Sequence, residues 1–204
     1  MKHIFCLIGK SSCGKDTIYK KILADQTLSL KTLVSYTTRP IRDGETQGVE
    51  YYFLTLEQQE ALAHQGKIIE LRSYDTIHGI WNYFTVKDHQ IDLEHHNYLV
   101  IGTLESYRKL RDYFGKDCLV PIYIEVEQGE RLQRALNRER IQQTPKFTEM
   151  CRRFLADEAD FSEENLISSG ITQCFFNHDL EHCTQEVISY IKNCLSDNAQ
   201  NICL

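Results

Sequence analysis

The chain has 204 residues, of which 42% are hydrophobic and 25% are charged, and its formal net charge is −6. This length allows one sizeable core with small attached lobes, and the composition is that of a soluble globular protein. The acidic balance argues against a nucleic-acid-binding face, and no apolar run approaches the roughly 18 residues of a membrane span.

The first predicted elements are a buried strand at residues 4–8, the loop GKSSCGKDT at residues 9–17, and a helix. This order, with Gly-Lys at the end of the loop, is typical of a phosphate-binding loop, or P-loop. Gly9 and Gly14 permit backbone conformations that turn amide N–H groups toward an anion. The helix N-terminus adds a partial positive charge. We therefore predict that the P-loop binds a nucleoside triphosphate and that Lys15 contacts its outer phosphates.

The P-loop departs from the usual pattern directly after its lysine. Ser or Thr normally stands there and gives its hydroxyl to Mg²⁺, whereas this chain has Asp16, with Thr17 one residue later. A carboxylate beside a triphosphate is repelled unless a cation lies between them. We therefore expect Asp16 to face Mg²⁺, directly or through water, because hard oxygen ligands suit this ion. The alternative is a chance Gly-Lys match in a surface loop, which the flanking strand and helix disfavour.

A short second strand is predicted at residues 31–36, and a structured loop follows it. The loop contains Arg39 and Arg42 together with a proline and two glycines, which exclude a regular helix or strand. A guanidinium group suits phosphate oxygens, although composition alone would favour a solvated charged loop. A strand at residues 51–54 ends the segment.

Residues 51–85 are predicted to form a small lobe of short strands and one helix. The helix begins after Thr55, and Gln58 stands three residues later, at capping-box spacing. Two further strands, rich in β-branched and aromatic residues and separated by an Asp-Thr turn, are predicted at residues 67–74 and 77–85.

The main layer then resumes with a helix predicted around residues 86–94 and a buried strand at residues 98–102. A second capping-box spacing, Thr103 with Ser106, begins another helix. A strand follows at residues 118–126. Alternating strands and helices predict an α/β fold with a parallel central sheet.

Two helices at residues 130–141 and 147–166 are predicted to form an arginine-rich hairpin. Arg134 and Arg138 are four residues apart and therefore share one helix face. Alternating Arg and Glu also suit a solvated helix with surface ion pairs, and that alternative stays open for Arg131, Arg140 and Arg152. A last strand at residues 172–177 and an amphipathic helix complete the prediction.

The eight cysteines include no C-x-x-C pair and no Cys/His cluster with zinc-site spacing. The apolar run at the start is too short for a signal peptide, so we expect a cytoplasmic protein with reduced thiols. Cys13 lies in the P-loop, where it could be reactive or simply a small loop residue.

These motifs resemble those of the guanylate kinase family over nearly the whole chain. The most specific block is S-x-T-T-R-x-x-R-x-G-E…G…Y-x-F, which begins at Ser35, and the hairpin arginines add to it. The resemblance implies a P-loop NTPase three-layer fold with a small lobe that binds the nucleoside monophosphate and a helical arginine lid. It implies a core at residues 1–34, 86–128 and 167–204, an acceptor lobe at residues 35–85 and a lid at residues 129–166.

The resemblance also implies an activity, the Mg²⁺-assisted phosphorylation of GMP, and of dGMP, by ATP in purine nucleotide metabolism. ATP and GMP would be the partners of a monomer or homodimer, with no nucleic acid and no membrane. The implied ATP-binding residues are Gly9, Ser11, Ser12, Cys13, Gly14, Lys15, Asp16, Thr17 and Asn177. The implied GMP-binding residues are Ser35, Arg39, Arg42, Tyr51, Glu70 and Tyr83. The implied catalytic residues are Lys15, Arg39, Arg134, Arg138 and Arg153.

Two departures from the family pattern concern the acceptor. The family's acidic D-x-D after the third core strand is replaced by Gly102, Thr103 and Leu104, which removes carboxylates that serve guanine and the metal region. The family's Tyr-Gly-Ser/Thr segment is also replaced, which leaves His78 and Tyr83 as candidates for a second phosphate contact. The alternatives are therefore a kinase of the same fold for another nucleotide or a sugar phosphate, or a non-catalytic interaction module.

Overall fold

The structure, a computed structural model, describes the backbone of residues 2–76 and 79–200 and the side chains of residues 2–76 and 79–196. Its strands are β1 (Ile4–Ile8), β2 (Leu30–Thr32), β3 (Tyr36–Thr37), β4 (Tyr52–Phe53), β5 (Ile68–Thr76), β6 (Gly79–Val86), β7 (Asn97–Ile101), β8 (Leu119–Glu125) and β9 (Cys174–Phe176). Its α-helices are α1 (Lys15–Ala24), α2 (Leu56–His64), α3 (Leu104–Phe114), α4 (Gln128–Arg140), α5 (Phe147–Asp160), α6 (Glu163–Ser168) and α7 (Leu180–Gln200).

The central sheet has five parallel strands in the order β2-β7-β1-β8-β9. All five residues of β1 are buried, as the continuous apolar run predicts for a strand covered on both faces. Phe5 and Leu7 point to one face, where α1 and α7 pack. Ile4, Cys6 and Ile8 point to the other face, where α3 packs. The predicted α/β fold with a parallel central sheet between layers of helices is confirmed.

A second, four-stranded sheet lies between β2 and β7 in the chain, in the order β4-β3-β6-β5. Strands β3 and β4 are parallel, whereas β6 is antiparallel to both β3 and β5. Helices α4, α5 and α6 follow β8. We keep the division into core, acceptor lobe and lid as a proposal, which this separate sheet supports.

The structure corrects four predicted elements. The Asp-Thr pair predicted as a turn, Asp75 and Thr76, forms the end of β5 and pairs with β6. The strand predicted at residues 31–36 is two strands, because β2 pairs in the central sheet and β3 pairs in the second one. No helix forms over residues 86–94, because the carboxylates of Asp88 and Asp92 accept local backbone N–H groups and hold turns there. The helix predicted to continue to residue 166 ends at Asp160, and Ser162 then caps α6.

Both predicted capping boxes are present. Thr55 and Gln58 close one at the start of α2, and Thr103 and Ser106 close another at the start of α3. Within residues 2–76 and 79–200, no helix has the length and apolar character that crossing a membrane requires.

Candidate active site

The P-loop connects β1 to α1 at the carboxyl edge of the central sheet, where ligands of open α/β sheets bind. Gly14 has φ +89°, a left-handed conformation that favours glycine. A Cβ atom on Gly14 would lie 2.4 Å from Nδ2 of Asn177. Asn177 follows β9, is buried, and donates from Nδ2 to the carbonyl oxygen of Cys13 at 2.8 Å. The structure therefore places Asn177 against the P-loop, as a residue that positions its backbone.

Several polar groups of the P-loop are left without protein partners. Gly14 is the N-cap of α1 and makes no side-chain capping bond. Among the described residues, the N–H groups of Gly14 and Asp16 have no recorded acceptor. Within residues 2–76 and 79–196, the buried hydroxyl group of Ser12 has no hydrogen-bond partner, and Nζ of Lys15 donates only to the carbonyl oxygen of Lys10, at 3.3 Å. Such a cluster of unused donors at a helix N-terminus suits a phosphate group.

The thiol of Cys13 is fully buried beneath the loop. Burial raises its pKa, and the charge of Lys15 only partly opposes this. The thiol therefore stays protonated at neutral pH, and Cys13 acts as a small packing residue rather than a reactive one.

Two carboxylates of α5 contact the P-loop, and the sequence analysis missed both. Asp157 accepts the backbone N–H of Ser11 at 2.8 Å, and Glu158 pairs with Lys10 at 2.8 Å. Arg131 of α4 joins the two, because its guanidinium lies 2.5 Å from Glu158 and 3.4 Å from Asp157.

The solvated interpretation is wrong for Arg131, which is 1% exposed. Its guanidinium also donates to the carbonyl oxygen of Ser11 and lies 3.7 Å from the ring centre of Phe154. The sequence contains a signal for this burial. Arg131 is four residues before the apolar Ala135, so the two share one face of α4, and this face is the buried one. Arg140 and Arg152 are exposed, as the solvated interpretation expects.

The three predicted lid arginines lie at different distances from the P-loop. Arg134 donates to the carbonyl oxygen of Asn177 at 3.0 Å, and Arg153 donates to the hydroxyl of Ser11 at 3.1 Å. Arg138 is exposed one turn beyond Arg134, and no side-chain contact is recorded for it among the described residues. Arg153 therefore contacts the P-loop, and Arg134, which also pairs with Glu130 at 2.5 Å, contacts Asn177 beside it.

The second sheet brings a cluster of arginines and tyrosines together. The guanidinium of Arg39 pairs with both carboxylate oxygens of Glu45 at 2.9 and 2.7 Å, and it lies 5.4 Å from the ring centres of Tyr51 and Phe53. The rings of Tyr51 and Tyr83 meet edge to face at 5.6 Å. Arg42 is exposed, with its guanidinium 6.0 Å from the ring of Trp81. The cluster offers cationic and hydroxyl groups to a phosphate, and His78 lies outside the described residues.

The stability of the protein is expected to fall at acid pH as the carboxylate of Glu45 becomes protonated. Its hydrogen bonds to Arg39 lower the pKa of the Glu45 carboxyl below the ordinary value of about 4.3. The stabilisation is therefore complete above that ordinary value and is lost as the pH falls through the lower value of the folded protein. We expect the melting temperature of wild type to fall more steeply than that of Glu45→Gln between about pH 5 and about pH 3. Parallel slopes in the two melting series would contradict this.

Glu70 and Arg72 form a buried ion pair on β5. Arg72 donates from Nε and Nη2 to the two carboxylate oxygens of Glu70, at 2.9 and 3.1 Å. The hydroxyl of Thr85 adds a bond of 2.9 Å, and Nη1 of Arg72 lies 3.5 Å from the hydroxyl of Thr103. Burial lowers the pKa of Arg72, but the charge of Glu70 and its hydrogen bonds, together with Tyr74 and Tyr51, outweigh burial and raise the pKa. Sequence analysis singled out Glu70 and missed Arg72, although residues two apart on a strand share one face.

Ser35 immediately precedes β3 and is half-buried. Its carbonyl oxygen accepts the backbone N–H of Tyr52 at 3.0 Å. Within the described part of the chain no hydrogen bond joins its side chain to Glu70, the other predicted guanine contact.

Asp16 lies exposed in the first turn of α1. Burial and the neighbouring Tyr83 raise the pKa of Tyr51, and the charge of Asp16 adds to this effect. In the part of the chain that the structure describes, no three His, Cys, Asp or Glu side chains come together as a metal site. The oxygen donors of Asp16 and Thr17 are of the hard type that fits Mg²⁺ shared with nucleotide phosphates.

Two comparisons with known proteins bear on this candidate site. The family model described as guanylate kinase matches residues 1–193 of the chain. Among solved structures, the chain is similar to the crystal structure of guanylate kinase from Anaplasma phagocytophilum, with a TM-score of 0.63 and 20% sequence identity. The likeness covers 94% of this chain and 85% of that one, and at this identity it concerns the fold alone.

Proposed function

The chain belongs to the guanylate kinase family of nucleoside monophosphate kinases, and we propose that it transfers the γ-phosphoryl group of ATP to GMP or dGMP, forming ADP and the nucleoside diphosphate. The observation that carries this proposal is the P-loop between β1 and α1, whose unused N–H groups and Lys15 lie at the N-terminus of α1. The cluster around Arg39 and Tyr51 on the second sheet supports it with groups suited to a second phosphate.

The ATP phosphates would lie on the P-loop, from Gly9 to Thr17. The inward N–H groups and Lys15 carry positive charge toward them. Arg134, Arg138 and Arg153 would neutralise the transferring group, and the contacts of Arg134 and Arg153 near the loop support this for two of the three. Asp16 would hold Mg²⁺, directly or through water, and the bound ion would further neutralise the phosphate oxygens.

The phosphate of GMP would be held by Arg39, Arg42, Tyr51 and Tyr83. Ser35 and Glu70 would contact the guanine edge. No general base is required, since the acceptor phosphate is already anionic and phosphoryl transfer depends on positioning and charge stabilisation.

We further propose a cytoplasmic enzyme of purine nucleotide metabolism that works as a monomer or homodimer. Its partners would be its small-molecule substrates, without nucleic acid or membrane. The acidic net charge of −6 supports the absence of a nucleic-acid face.

The test is a coupled assay of ADP formation with Mg²⁺-ATP and a panel of acceptors, namely GMP, dGMP, AMP, UMP, CMP and a phosphorylated sugar. We expect turnover with GMP and dGMP and a rate at least about 100-fold lower with AMP and the pyrimidine nucleotides. Turnover confined to another acceptor would retain the kinase and contradict the substrate. ATP binding without any turnover would favour an interaction module instead.

A second candidate, a kinase of the same fold for another phosphorylated acceptor, rests on a specific observation. The segment Gly102, Thr103 and Leu104 has no carboxylate, and the carboxylate of Glu70 is paired with Arg72. The acceptor site therefore presents less negative charge to a nucleotide base than a site with two or three unpaired carboxylates would present.

A further inference from the structure

All three polar groups of Ser11 in the P-loop are bonded to side chains of the hairpin formed by α4 and α5. Asp157 accepts the backbone N–H of Ser11 at 2.8 Å. Arg131 donates to the carbonyl oxygen of Ser11 at 3.2 Å, and Arg153 donates to its hydroxyl group at 3.1 Å. The conformation of the P-loop at Ser11 therefore depends on residues that are at least 120 positions away in the chain.

The residue that follows Ser11 has a backbone conformation that serine rarely adopts. The N–H of Cys13 donates to the carbonyl oxygen of Lys10 at 3.3 Å, which closes a turn with Ser11 and Ser12 at its centre. Ser12 has φ +67°, in the left-handed region that favours glycine at the third position of such a turn. Its buried hydroxyl has no hydrogen-bond partner among the described residues, so its side chain does not offset this conformation. Contacts made by neighbouring residues therefore have to hold the turn.

The same turn is connected to the groups that face the phosphate site. The carbonyl oxygen of Lys10, which closes the turn, also accepts from Nζ of Lys15 at 3.3 Å. The N–H of Gly14, which has no recorded acceptor among the described residues, follows the turn directly. A change in the turn is therefore expected to displace the amino group of Lys15 and the unused N–H of Gly14 together.

Asp157 is the hairpin residue best suited to hold this turn. Its side chain is 19% exposed, and its Oδ2 lies 3.4 Å from Nη1 of Arg131, the same nitrogen that donates to the carbonyl oxygen of Ser11. Arg131 is buried and paired with Glu158, and Glu158 also pairs with Lys10. The carboxylate is thus fixed by partners that are fixed themselves. A charged acceptor also makes a stronger hydrogen bond to a backbone N–H than a neutral one does.

We propose that Asp157 is a positioning residue of the P-loop, which holds the turn at residues 10–13 in its triphosphate-binding conformation through the N–H of Ser11. Asp157 acts through Ser11 and not by contact with the nucleotide. The hairpin then has a second role besides presenting arginines to the transferring group, because it also shapes the loop that receives the phosphates. This inference rests on the proposed function, since it takes ATP as the ligand of the P-loop.

The charge of Asp157 by itself would have the opposite effect on binding. A carboxylate beside the P-loop repels a triphosphate, so its removal would strengthen ATP binding if charge alone mattered. If the carboxylate holds the turn, its removal weakens binding, because the apparent Kd rises as the fraction of the loop in the binding conformation falls. The direction of the change therefore distinguishes positioning from repulsion.

The test is the equilibrium Kd of ATP, measured by titration calorimetry on the full chain, with thermal unfolding as a check that each variant is folded. We expect Asp157→Ala to raise the Kd of ATP about tenfold, the low end of the range for a hydrogen bond to a charged group. Asp157→Asn retains an oxygen that accepts the N–H of Ser11, so it should raise the Kd by no more than about threefold.

A second background tests the turn itself. Glycine adopts a positive φ without the steric penalty of a side chain, so Ser12→Gly should make the turn less dependent on Asp157. In the Ser12→Gly background, we expect Asp157→Ala to raise the Kd of ATP by less than about threefold, a non-additivity that indicates coupling between the two positions.

The matched control lies on the same helix. Glu149→Ala removes a carboxylate from the first turn of α5, where Glu149 pairs with the exposed Arg152 at 2.7 Å. Because an exposed ion pair contributes little, this variant should keep the Kd of ATP within about twofold of wild type.

The outcomes separate this inference from the proposed function. An Asp157→Ala protein that binds ATP as tightly as wild type, or more tightly, would overturn the inference, while turnover of GMP by wild type would still support the kinase. An equal loss in the wild-type and Ser12→Gly backgrounds would also overturn it, since the carboxylate would not then act through the turn. The expected Kd values without any turnover by wild type would support the inference and contradict the proposed function.

Discussion

Replacing Lys15 with methionine is expected to lower kcat for phosphoryl transfer about 10²- to 10³-fold, the effect of removing one preorganised charge from a developing transition state. The amino group of Lys15 contacts only the carbonyl oxygen of Lys10 within the described residues, so methionine leaves no buried ion unpaired. The fold should therefore be unchanged. The measurement is kcat in the coupled assay, with circular dichroism and thermal unfolding as checks of folding.

The matched control for Lys15 lies on the same helix. Lys21 is in the last turn of α1, where it pairs with Glu181 on the surface at 2.6 Å. Lys21→Met removes the same charge from the same helix and should keep kcat within about twofold, since an exposed ion pair contributes little. Equal losses in the two variants would mean that net charge, rather than the position of Lys15, controls the rate.

Replacing Arg131 with methionine is expected to lower the free energy of unfolding by about 3 kcal/mol, the low end of the cost of breaking a buried ion pair. The low end applies because Asp157 and Glu158 are partly exposed, at 19% and 30% of their side chains. Methionine can retain part of the contact with Phe154 but none of the hydrogen bonds. The measurement is the urea midpoint, together with the slope of the transition.

Arg152 provides the control for this loss. Its side chain is 66% exposed and pairs with Glu149 at 2.7 Å, so Arg152→Met should change the free energy of unfolding by less than about 1 kcal/mol. Proteolysis of the native proteins gives a second measurement. Without Arg131, the contacts of α4 with α5 and the P-loop are weaker, so α4 and α5 should be cut faster. A stability loss of equal size in both variants would contradict the special role of Arg131.

Local elements were the most predictable part of the fold. The strand, P-loop and helix at the start of the chain have the predicted order, and both capping boxes form at Thr55 and Thr103. Each of these depends on residues within a few positions of one another. The helix predicted over residues 86–94 does not form, and the reason is again local. Asp88 and Asp92 offer the backbone short-range hydrogen bonds that compete with helix formation.

The predicted site residues are partly brought together by the structure. Arg39, Tyr51 and Tyr83 form one cluster, and Lys15, Arg134 and Arg153 lie at or beside the P-loop. Their roles with nucleotides remain proposals. These groups were predicted from the resemblance to the family, whose motifs contain each of these residues.

The sequence by itself determined the strand-loop-helix of the P-loop, the alternation that makes an α/β sheet, and the family to which the motifs belong. Only the tertiary structure decided which charges neutralise one another. Arg131 and Arg152 are both arginines of the same helical hairpin, yet one is buried between α5 and the P-loop and the other is solvated. The resemblance implied a guanine contact for Glu70, but the pairing of Glu70 with Arg72 and Thr85 depends on how β5, β6 and α3 pack. The physical reason is that local spacing sets backbone conformation and the face on which a side chain lies, whereas the energy of a charge depends on burial and on partners distant in the chain.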